Sequence, residues 1–195
     1  MSTEATLYSP TEAAYIVGRP VKAVQKAIDE GNIASRRLRR GGAVVRQVGE
    51  PELVYLRLLR EVSGVLLPAA KKHVYRRLRE ERNGASIVTL GPITVDVSDA
   101  RRDVAARAER LSKARSLVVS EPGIRGGEPV LRGTRIPVHM LAELVKQGAS
   151  AEELLEDYPS LDRERLEAGL TYAEAYPKRG RPQRRPWLDR PLKPR

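Results

Sequence analysis

The sequence contains no cysteine and no phenylalanine, and it has only one tryptophan among 195 residues. The absence of cysteine excludes disulfide bonds, thiolate nucleophiles and cysteine-ligated zinc. Because phenylalanine is absent, hydrophobic cores must be built from Leu, Val, Ile and Ala, with some Tyr. No apolar run reaches the roughly 20 residues that cross a bilayer, and residues 1–10 lack the pattern of a signal peptide. We therefore expect a soluble, cytoplasmic protein of one or two compact domains.

Positive charge is abundant and unevenly distributed. The formal net charge is +11, which indicates a polyanionic or strongly acidic partner. Residues 177–195 contain eight Lys or Arg and a single Asp, so most of the excess lies in a short C-terminal segment. Five prolines in this segment oppose a regular helix or a central strand. We therefore expect an extended basic tail over residues 177–195.

Two short helices are predicted near the start of the chain. Ser9 is a typical N-cap before Pro10, and Gly18 should end this first helix after Val17. A second helix is predicted from Pro20 to about Asp29. Its buried stripe has helical spacing and consists of Val21, Val24 and Ile28.

A basic hairpin is predicted directly after these helices. Gly41 and Gly42 separate two extended runs, as tight hairpin turns require. The runs contain no acidic residue and five arginines, namely Arg36, Arg37, Arg39, Arg40 and Arg46. Further helices are predicted over residues 51–62 and 68–82, which completes an N-terminal domain over residues 1–83.

Two helices joined by a Gly-containing turn and followed by a basic hairpin are typical of a winged helix-turn-helix. The start, Ser9-Pro10-Thr11-Glu12-Ala13-Ala14, and the Gly31 that ends the second helix resemble the excisionase and MerR-like winged-helix group. The residues predicted to enter the DNA major groove are Val21, Lys22, Gln25 and Lys26, and the five hairpin arginines would form the wing. A small helical module with a solvated charged face is the alternative.

A short connecting unit is predicted over residues 84–116. Extended runs at 87–90 and 93–97 flank Gly91-Pro92 and predict a second small hairpin. Asp99 is then predicted to cap a helix of mixed charge that reaches roughly Arg115.

Three short helices are predicted within residues 117–176. Ser150 and Glu153 have the spacing of a capping box, and Asp162 is a plausible cap for the last helix. The pattern predicts a small helix-turn-helix-like bundle. Because a core of this size is marginal alone, we expect a homodimer, or packing against residues 84–116.

The same segment carries a set of short motifs. They are Gly127, Pro129, Gly133-Thr134-Arg135-Ile136-Pro137-Val138, Gly148-Ala149-Ser150 and Asp157-Tyr158-Pro159. These motifs resemble the family known as domain of unknown function 433. The resemblance implies an antitoxin of the VapB type, whose partner resembles a PIN-domain ribonuclease.

The tail holds the single tryptophan among arginines, and both residue types are common interface anchors. A guanidinium placed among the metal-binding carboxylates of a PIN-like nuclease would compete with metal and RNA. The predicted toxin-binding residues are Arg181, Arg184, Arg185, Trp187, Leu188 and Arg190. Alternatively, the tail adds non-specific DNA affinity or has no role.

No catalytic motif stands out, so we expect neither an enzyme nor a cofactor or metal. His73 and His139 are isolated in sequence, and the acids at 152, 153, 156 and 157 fit a solvated helix face. The Gly-rich loop at 126–135 lacks the Gly-Lys-Ser/Thr ending of a phosphate-binding loop, which favours a structural turn.

Together these features predict a mainly α protein with small β-hairpins, in which an N-terminal winged helix-turn-helix precedes the three-helix domain and the basic tail. The expected function is an antitoxin that binds operator DNA as an autorepressor and neutralises a ribonuclease, without membrane association. The main alternative is a stand-alone winged-helix regulator or an excisionase-like factor, and a third possibility is a protein–protein adaptor.

Overall fold

The computed structural model describes residues 6–40, 42–62, 64–80 and 86–178. These residues form eight α-helices: α1 Pro10–Val17, α2 Val21–Asp29, α3 Glu50–Val62, α4 Pro68–Glu80, α5 Ser98–Leu117, α6 Val138–Lys146, α7 Ala151–Asp157 and α8 Arg163–Ala175. Six strands pair in chain order as antiparallel hairpins or ladders: β1 Arg36–Arg40, β2 Ala43–Gln47, β3 Ile87–Leu90, β4 Ile93–Asp96, β5 Val118–Val119 and β6 Val130–Leu131. The prediction of a mainly α fold with small β-hairpins is confirmed.

The cap at the start of α1 is more complete than the sequence prediction. The backbone N–H of Glu12 donates to the Ser9 hydroxyl, and the Ser9 N–H donates back to the Glu12 carboxylate at 2.7 Å. Gly18 ends the helix with a φ of 62°, a left-handed conformation that residues with a Cβ rarely adopt. The predicted helix from Pro10 to Val17 is therefore confirmed.

The start of α5 corrects a sequence prediction. Asp99 was expected to cap this helix, but the helix begins at Ser98 and its N-cap residue is Val97. The carboxylate that accepts from the first turn belongs to Asp96, which receives the Ser98 N–H at 2.8 Å. The prediction was wrong because β4 ends at Asp96 and delivers its side chain to the helix start, while Asp99 pairs with Arg102 on the surface.

The first hydrophobic core is shared by α1 to α5 and β3. Fully buried side chains include Ile16 on α1, Val24 on α2, Leu53 on α3, Leu78 on α4 and Leu111 on α5. The helix α3 is buried around most of its circumference, since Val54, Tyr55 and Leu58 are buried as well as Leu53 and Leu56. The α5 helix thus completes a core that begins in the N-terminal helices.

The second core lies within residues 118–172. Leu131, Val138, Leu141, Leu154 and Leu166 are almost fully buried there. The predicted capping box is confirmed, because the N–H of Glu153 donates to the Ser150 hydroxyl and the Ser150 N–H donates to the Glu153 carboxylate. The predicted Asp162 cap of α8 is also confirmed, at 2.7 Å from the N–H of Arg165.

The helix α8 packs along α5 and reaches α1, so it joins the two cores. Lys113 on α5 pairs with Glu164 at 2.8 Å, and Arg107 on α5 lies 3.4 Å from Glu174. The second core is therefore covered in part by the chain's own α5. No helix within the described ranges is long and apolar enough to cross a membrane.

Gly169 in the interior of α8 leads to a stability prediction. A Cβ at this position would lie 3.5–3.6 Å from side-chain atoms of Leu131, Leu141 and Val138, which is ordinary van der Waals contact. Because glycine costs helix stability through backbone entropy, Gly169→Ala should raise the free energy of unfolding by about 0.5–1 kcal/mol. Urea unfolding would measure the change.

The larger Gly169→Leu serves as the comparison, since it would overpack the same contact and destabilise by about 1–3 kcal/mol. A destabilised Gly169→Ala protein would mean that α8 packs more tightly against β6 and α6 than these distances imply.

A buried carboxylate, Glu52, organises the junction between the basic hairpin and α3 and α4. It accepts the Gly49 N–H at 3.0 Å and the Tyr75 hydroxyl at 2.8 Å, and it lies 3.6 Å from Nε of Arg79. The Tyr75 oxygen in turn accepts the N–H of Ala34 at 2.6 Å, just before β1. This network holds α4 beside the base of the hairpin.

Tyr75 should make stability depend on pH in the alkaline range. Burial, with the hydrogen bond to Glu52, raises the pKa of Tyr75 from 10.0 to about 12. The unfolded chain releases this proton near pH 10 and the folded protein holds it to about pH 12. The tyrosine's contribution is therefore fully present below pH 10 and is lost as the pH rises toward 12.

In Tyr75→Phe, the free energy of unfolding should therefore fall less steeply with pH, and the difference in slope should correspond to at most one proton. Urea unfolding between pH 9 and 12 would measure both slopes. Equal slopes for the variant and the original protein would show that Tyr75 ionises normally when folded.

Candidate nucleic-acid interface

The outer face of α2 is polar and exposed. Lys22, Gln25 and Lys26 are exposed, whereas Val24 and Ile28 on the opposite face are buried. Lys26 keeps 73% of its side chain exposed and lies 3.6 Å from Glu30, one turn further on. The three polar residues singled out from the sequence therefore share one solvent-facing surface.

Val21 differs from the other three residues assigned to this face. It is half-buried and packs against the first core. Less of its side chain is therefore available to an external partner than the sequence interpretation assumed, and its position at the start of α2 is partly structural.

The basic hairpin divides its arginines between two faces. Its register pairs Arg37 with Arg46 and Arg39 with Val44. Because side chains alternate along a strand, these residues lie on one face, whereas Arg36 shares the other face with Leu38, Val45 and Gln47. The five arginines predicted to form the wing thus do not all lie on the same face; the side chain of Arg40 lies outside the described part.

An ion pair joins the hairpin to α2. The Arg46 guanidinium pairs with the Asp29 carboxylate at the end of α2, and 32% of the Arg46 side chain remains exposed. The contact places the Arg37, Arg39 and Arg46 face beside the outer face of α2. It also partly neutralises Arg46, so Arg37 and Arg39 are the better candidates to bind an external anion.

The helix α4 adds cationic residues that the sequence interpretation missed. Its 13 residues include five Lys or Arg and one acid, namely Lys71, Lys72, Arg76, Arg77, Arg79 and Glu80. Lys72, Arg76 and Arg79 flank Tyr75, which contacts the base of the hairpin. The signal was present in the composition of 68–80, but only the tertiary contact through Tyr75 brings this helix next to the hairpin.

The inner face of the hairpin lines a cleft toward the C-terminal helices. The cleft has a volume of about 820 Å³ and is lined by Leu38, Val45, Arg115, Tyr172 and Tyr176, among others. The rings of Tyr172 and Tyr176 contact each other in a tilted arrangement, with centroids 4.6 Å apart. Leu38 and Val45 therefore line this cleft and belong to neither hydrophobic core.

Within residues 1–178, charge is segregated between an N-terminal and a C-terminal half. Residues 1–117 carry 22 Lys or Arg and 13 Asp or Glu, whereas residues 118–178 carry 7 and 11. On α7, Glu152 pairs with Arg163 at 3.0 Å and Glu153 caps its own helix. The surface suited to a polyanion thus belongs to the N-terminal half.

The Gly-rich loop before α6 is a structural turn, as its sequence suggested. The N–H of Arg132 donates to the carbonyl of Leu117, and the Thr134 hydroxyl both donates to the Leu131 carbonyl and accepts the N–H of Ile136. Its glycines at 126, 127 and 133 have positive φ. The loop's polar groups are used to join α5, β6 and α6.

The two histidines lie apart and take part in ordinary contacts. His73 lies 3.1 Å from a guanidinium nitrogen of Arg76, and burial lowers the pKa of His139. Among the described residues, no group of three or more His, Asp or Glu has the geometry of a metal site. The proposed toxin-binding residues from Arg181 to Arg190 lie outside the described residues.

Comparison with known proteins bears on the C-terminal half. Residues 118–173 match the family model described as "Protein of unknown function (DUF433)", which confirms that part of the resemblance. The chain is 46% identical over 89 residues to the uncharacterized protein y4eO of Sinorhizobium fredii. That alignment spans 46% of this chain and only 40% of y4eO. Neither description states an activity.

A solved structure offers no further guidance. The X-ray crystal structure of Rv2018 from Mycobacterium tuberculosis aligns with 84% of this chain and 96% of its own, at 14% identity and a TM-score of 0.32. A similarity this loose carries no argument about fold or function.

Proposed function

We propose that the protein is the DNA-binding antitoxin of a type II toxin–antitoxin module, which represses its own operator and neutralises a PIN-like ribonuclease. The observation that carries the DNA-binding part is the exposed cationic surface of α2 and the basic hairpin. Lys22, Arg37 and Arg39 are exposed there and have no carboxylate partner among the described residues. Three exposed cations on one surface suit the phosphates of a nucleic acid.

In this proposal, α1, α2 and the basic hairpin act as a winged helix-turn-helix. The helix α2 enters the major groove, where Gln25 reads base edges and Lys22 and Lys26 contact phosphates or guanine. The hairpin lies along the adjacent backbone with Arg37 and Arg39. Arg46 acts chiefly by holding the hairpin against α2 through Asp29.

The antitoxin part rests on the resemblance of residues 117–176 and on the composition of the tail. In this proposal the tail, residues 177–195, binds the toxin. An arginine among Arg181, Arg184, Arg185 and Arg190 pairs with the carboxylates of the nuclease site, and Trp187 and Leu188 dock beside it. The protein acts as a cytoplasmic homodimer without a cofactor, and its operator is an inverted repeat that matches the two-fold axis.

Co-expression with the product of the adjacent gene tests this function. The expected result is a stable complex in which ribonuclease activity is silent, while a protein ending at Lys178 fails to inhibit. Trp187→Ala should weaken inhibition strongly, and Leu192→Ala, outside the proposed contact set, serves as the matched tail control. Full inhibition by the truncated protein would rule out the tail as the inhibitory element.

The same experiment separates the second candidate function. If no partner co-purifies and the protein binds an operator tightly, it is a stand-alone winged-helix regulator or excisionase-like factor. The exposed cationic surface supports that function equally, because it requires no toxin.

A further inference from the structure

Two arginines from distant parts of the chain meet at the turn between α1 and α2. Arg19 lies in that turn, and Arg60 reaches it from the last turn of α3. Nη1 of Arg60 lies 3.5 Å from the carbonyl of Val17. A Cβ at Gly18 would lie only 2.5 Å from the same nitrogen, so the guanidinium rests directly over this glycine.

The pair lacks a countercharge. Neither Arg19 nor Arg60 forms an ion pair with any of the residues that the structure describes. Burial lowers the pKa of Arg19, and the proximity of Arg60 lowers it further. By contrast Arg57, one turn earlier on α3, pairs with both Glu61 and Asp103. Like charges held together without a carboxylate are costly, and such local conflicts concentrate at functional sites.

The location of the pair favours an anion. Arg19 immediately precedes Pro20, the N-cap residue of α2, and no side chain caps this helix. The N–H groups of the first turn and the positive end of the helix dipole therefore lie next to Arg19 along the chain, and Lys22 belongs to this first turn. In the proposed function α2 enters the major groove, so its amino end lies within reach of the DNA backbone.

We propose that Arg19 and Arg60 form a clamp that holds a single phosphate of the DNA backbone at the amino end of α2. A guanidinium presents paired N–H donors that match phosphate oxygens. Because neither arginine can lose its proton, the negative charge of the phosphate would offset the repulsion between them. The inference rests on the proposed DNA-binding function and adds a phosphate contact from α3, outside α2 and the basic hairpin. Gly18 has no side chain, so the Arg60 guanidinium can lie over this position.

A double-mutant cycle tests the clamp. Arg19→Gln, Arg60→Gln and the double variant are titrated with a random-sequence duplex of about 30 base pairs at several salt concentrations, with fluorescence anisotropy as readout. Loss of one phosphate contact should reduce the salt slope by about 0.9 and the affinity at 0.1 M salt by about 8-fold. Because both arginines hold the same phosphate, the double variant should lose about the same slope as either single variant.

Arg110→Gln is the matched control, since this exposed arginine lies on α5 and its loss changes the net charge equally. Thermal unfolding of each variant establishes that it is folded. A second readout uses the unaltered protein: the side-chain Nε resonances of Arg19 and Arg60 should shift together when the duplex is added.

The outcomes separate the clamp from the proposed function. If the slope of log K against log salt falls by about 1.8 in the double variant, the two losses are additive. That result would show two separate phosphate contacts and overturn the shared clamp. Variants that bind like the Arg110→Gln control, without resonance shifts in the original protein, would overturn the clamp while leaving DNA binding intact. An original protein that binds no duplex at all would overturn both.

Discussion

Replacing Lys22, Arg37 and Arg39 together by glutamine is expected to weaken binding to duplex DNA by on the order of 10²–10³-fold at 0.1 M salt. Each of these side chains is exposed on the surface formed by α2 and the outer face of the basic hairpin. Each phosphate contact releases condensed counterions, so three lost contacts should reduce the slope of log K against log salt by about 2.7. The fold should be unaffected, because none of the three side chains contributes to a core.

The matched control removes the same charge elsewhere. Arg135, Lys146 and Arg163 are exposed within residues 118–178, a range that carries more acids than bases. Their replacement by glutamine should change affinity only slightly, through the net charge. Binding would be measured by fluorescence anisotropy across a salt series. If both triple variants lose affinity equally, the protein responds to its overall charge and α2 with the hairpin is not the interface.

Glu12→Ala is expected to lower the free energy of unfolding by about 2–3 kcal/mol, which is a large share of a typical domain's stability. Only 8% of Glu12 is exposed. Its carboxylate accepts the Ser9 N–H at 2.7 Å and the Tyr176 hydroxyl, and it lies 3.4 Å from a guanidinium nitrogen of Arg115. Removing it leaves these groups unsatisfied and breaks the contact of α1 with the ends of α5 and α8.

Two comparisons make this prediction specific. Tyr176→Phe removes one donor and should cost about 1–2 kcal/mol, less than Glu12→Ala and not additive with it. Glu156→Ala on the exposed face of α7 should change stability by no more than about 0.5 kcal/mol. Urea unfolding would measure the three single variants and the double variant that combines Glu12→Ala with Tyr176→Phe. A cost for Glu12→Ala below about 1 kcal/mol would mean that Arg115 and Tyr176 find other partners.

The contacts of Glu12 also fix the position of Tyr176, the residue just before the tail. The Tyr176 hydroxyl donates to Glu12 on α1, and Lys178, two residues later, pairs with Glu128 at 2.8 Å. The segment proposed to bind the toxin therefore begins between the first helix of the proposed DNA-binding unit and the C-terminal half.

The local elements were predictable because each depends on a few neighbouring residues. The Ser9 cap, the Ser150 capping box, the Asp162 cap and the Gly18 stop satisfy backbone groups within one turn of chain. The residues of both hairpin turns likewise lie next to one another in sequence. The one capping error, at Asp99, arose where β4 and α5 adjoin and two acids compete for the same helix start.

The sequence by itself determined the helices, the hairpins, the exposed polar face of α2 and the uneven distribution of charge. Only the tertiary structure decided which charges act together. Arg46 with Asp29, Arg60 with Arg19, and Glu12 with Tyr176 are pairs whose members lie far apart in the chain. Helical periodicity and helix caps depend on neighbouring residues and can be read from the sequence. Pairs between distant residues depend instead on the angles and distances at which helices pack. Hydrophobic contacts determine that packing, and the hydrophobic pattern of the sequence does not specify which polar side chains become neighbours.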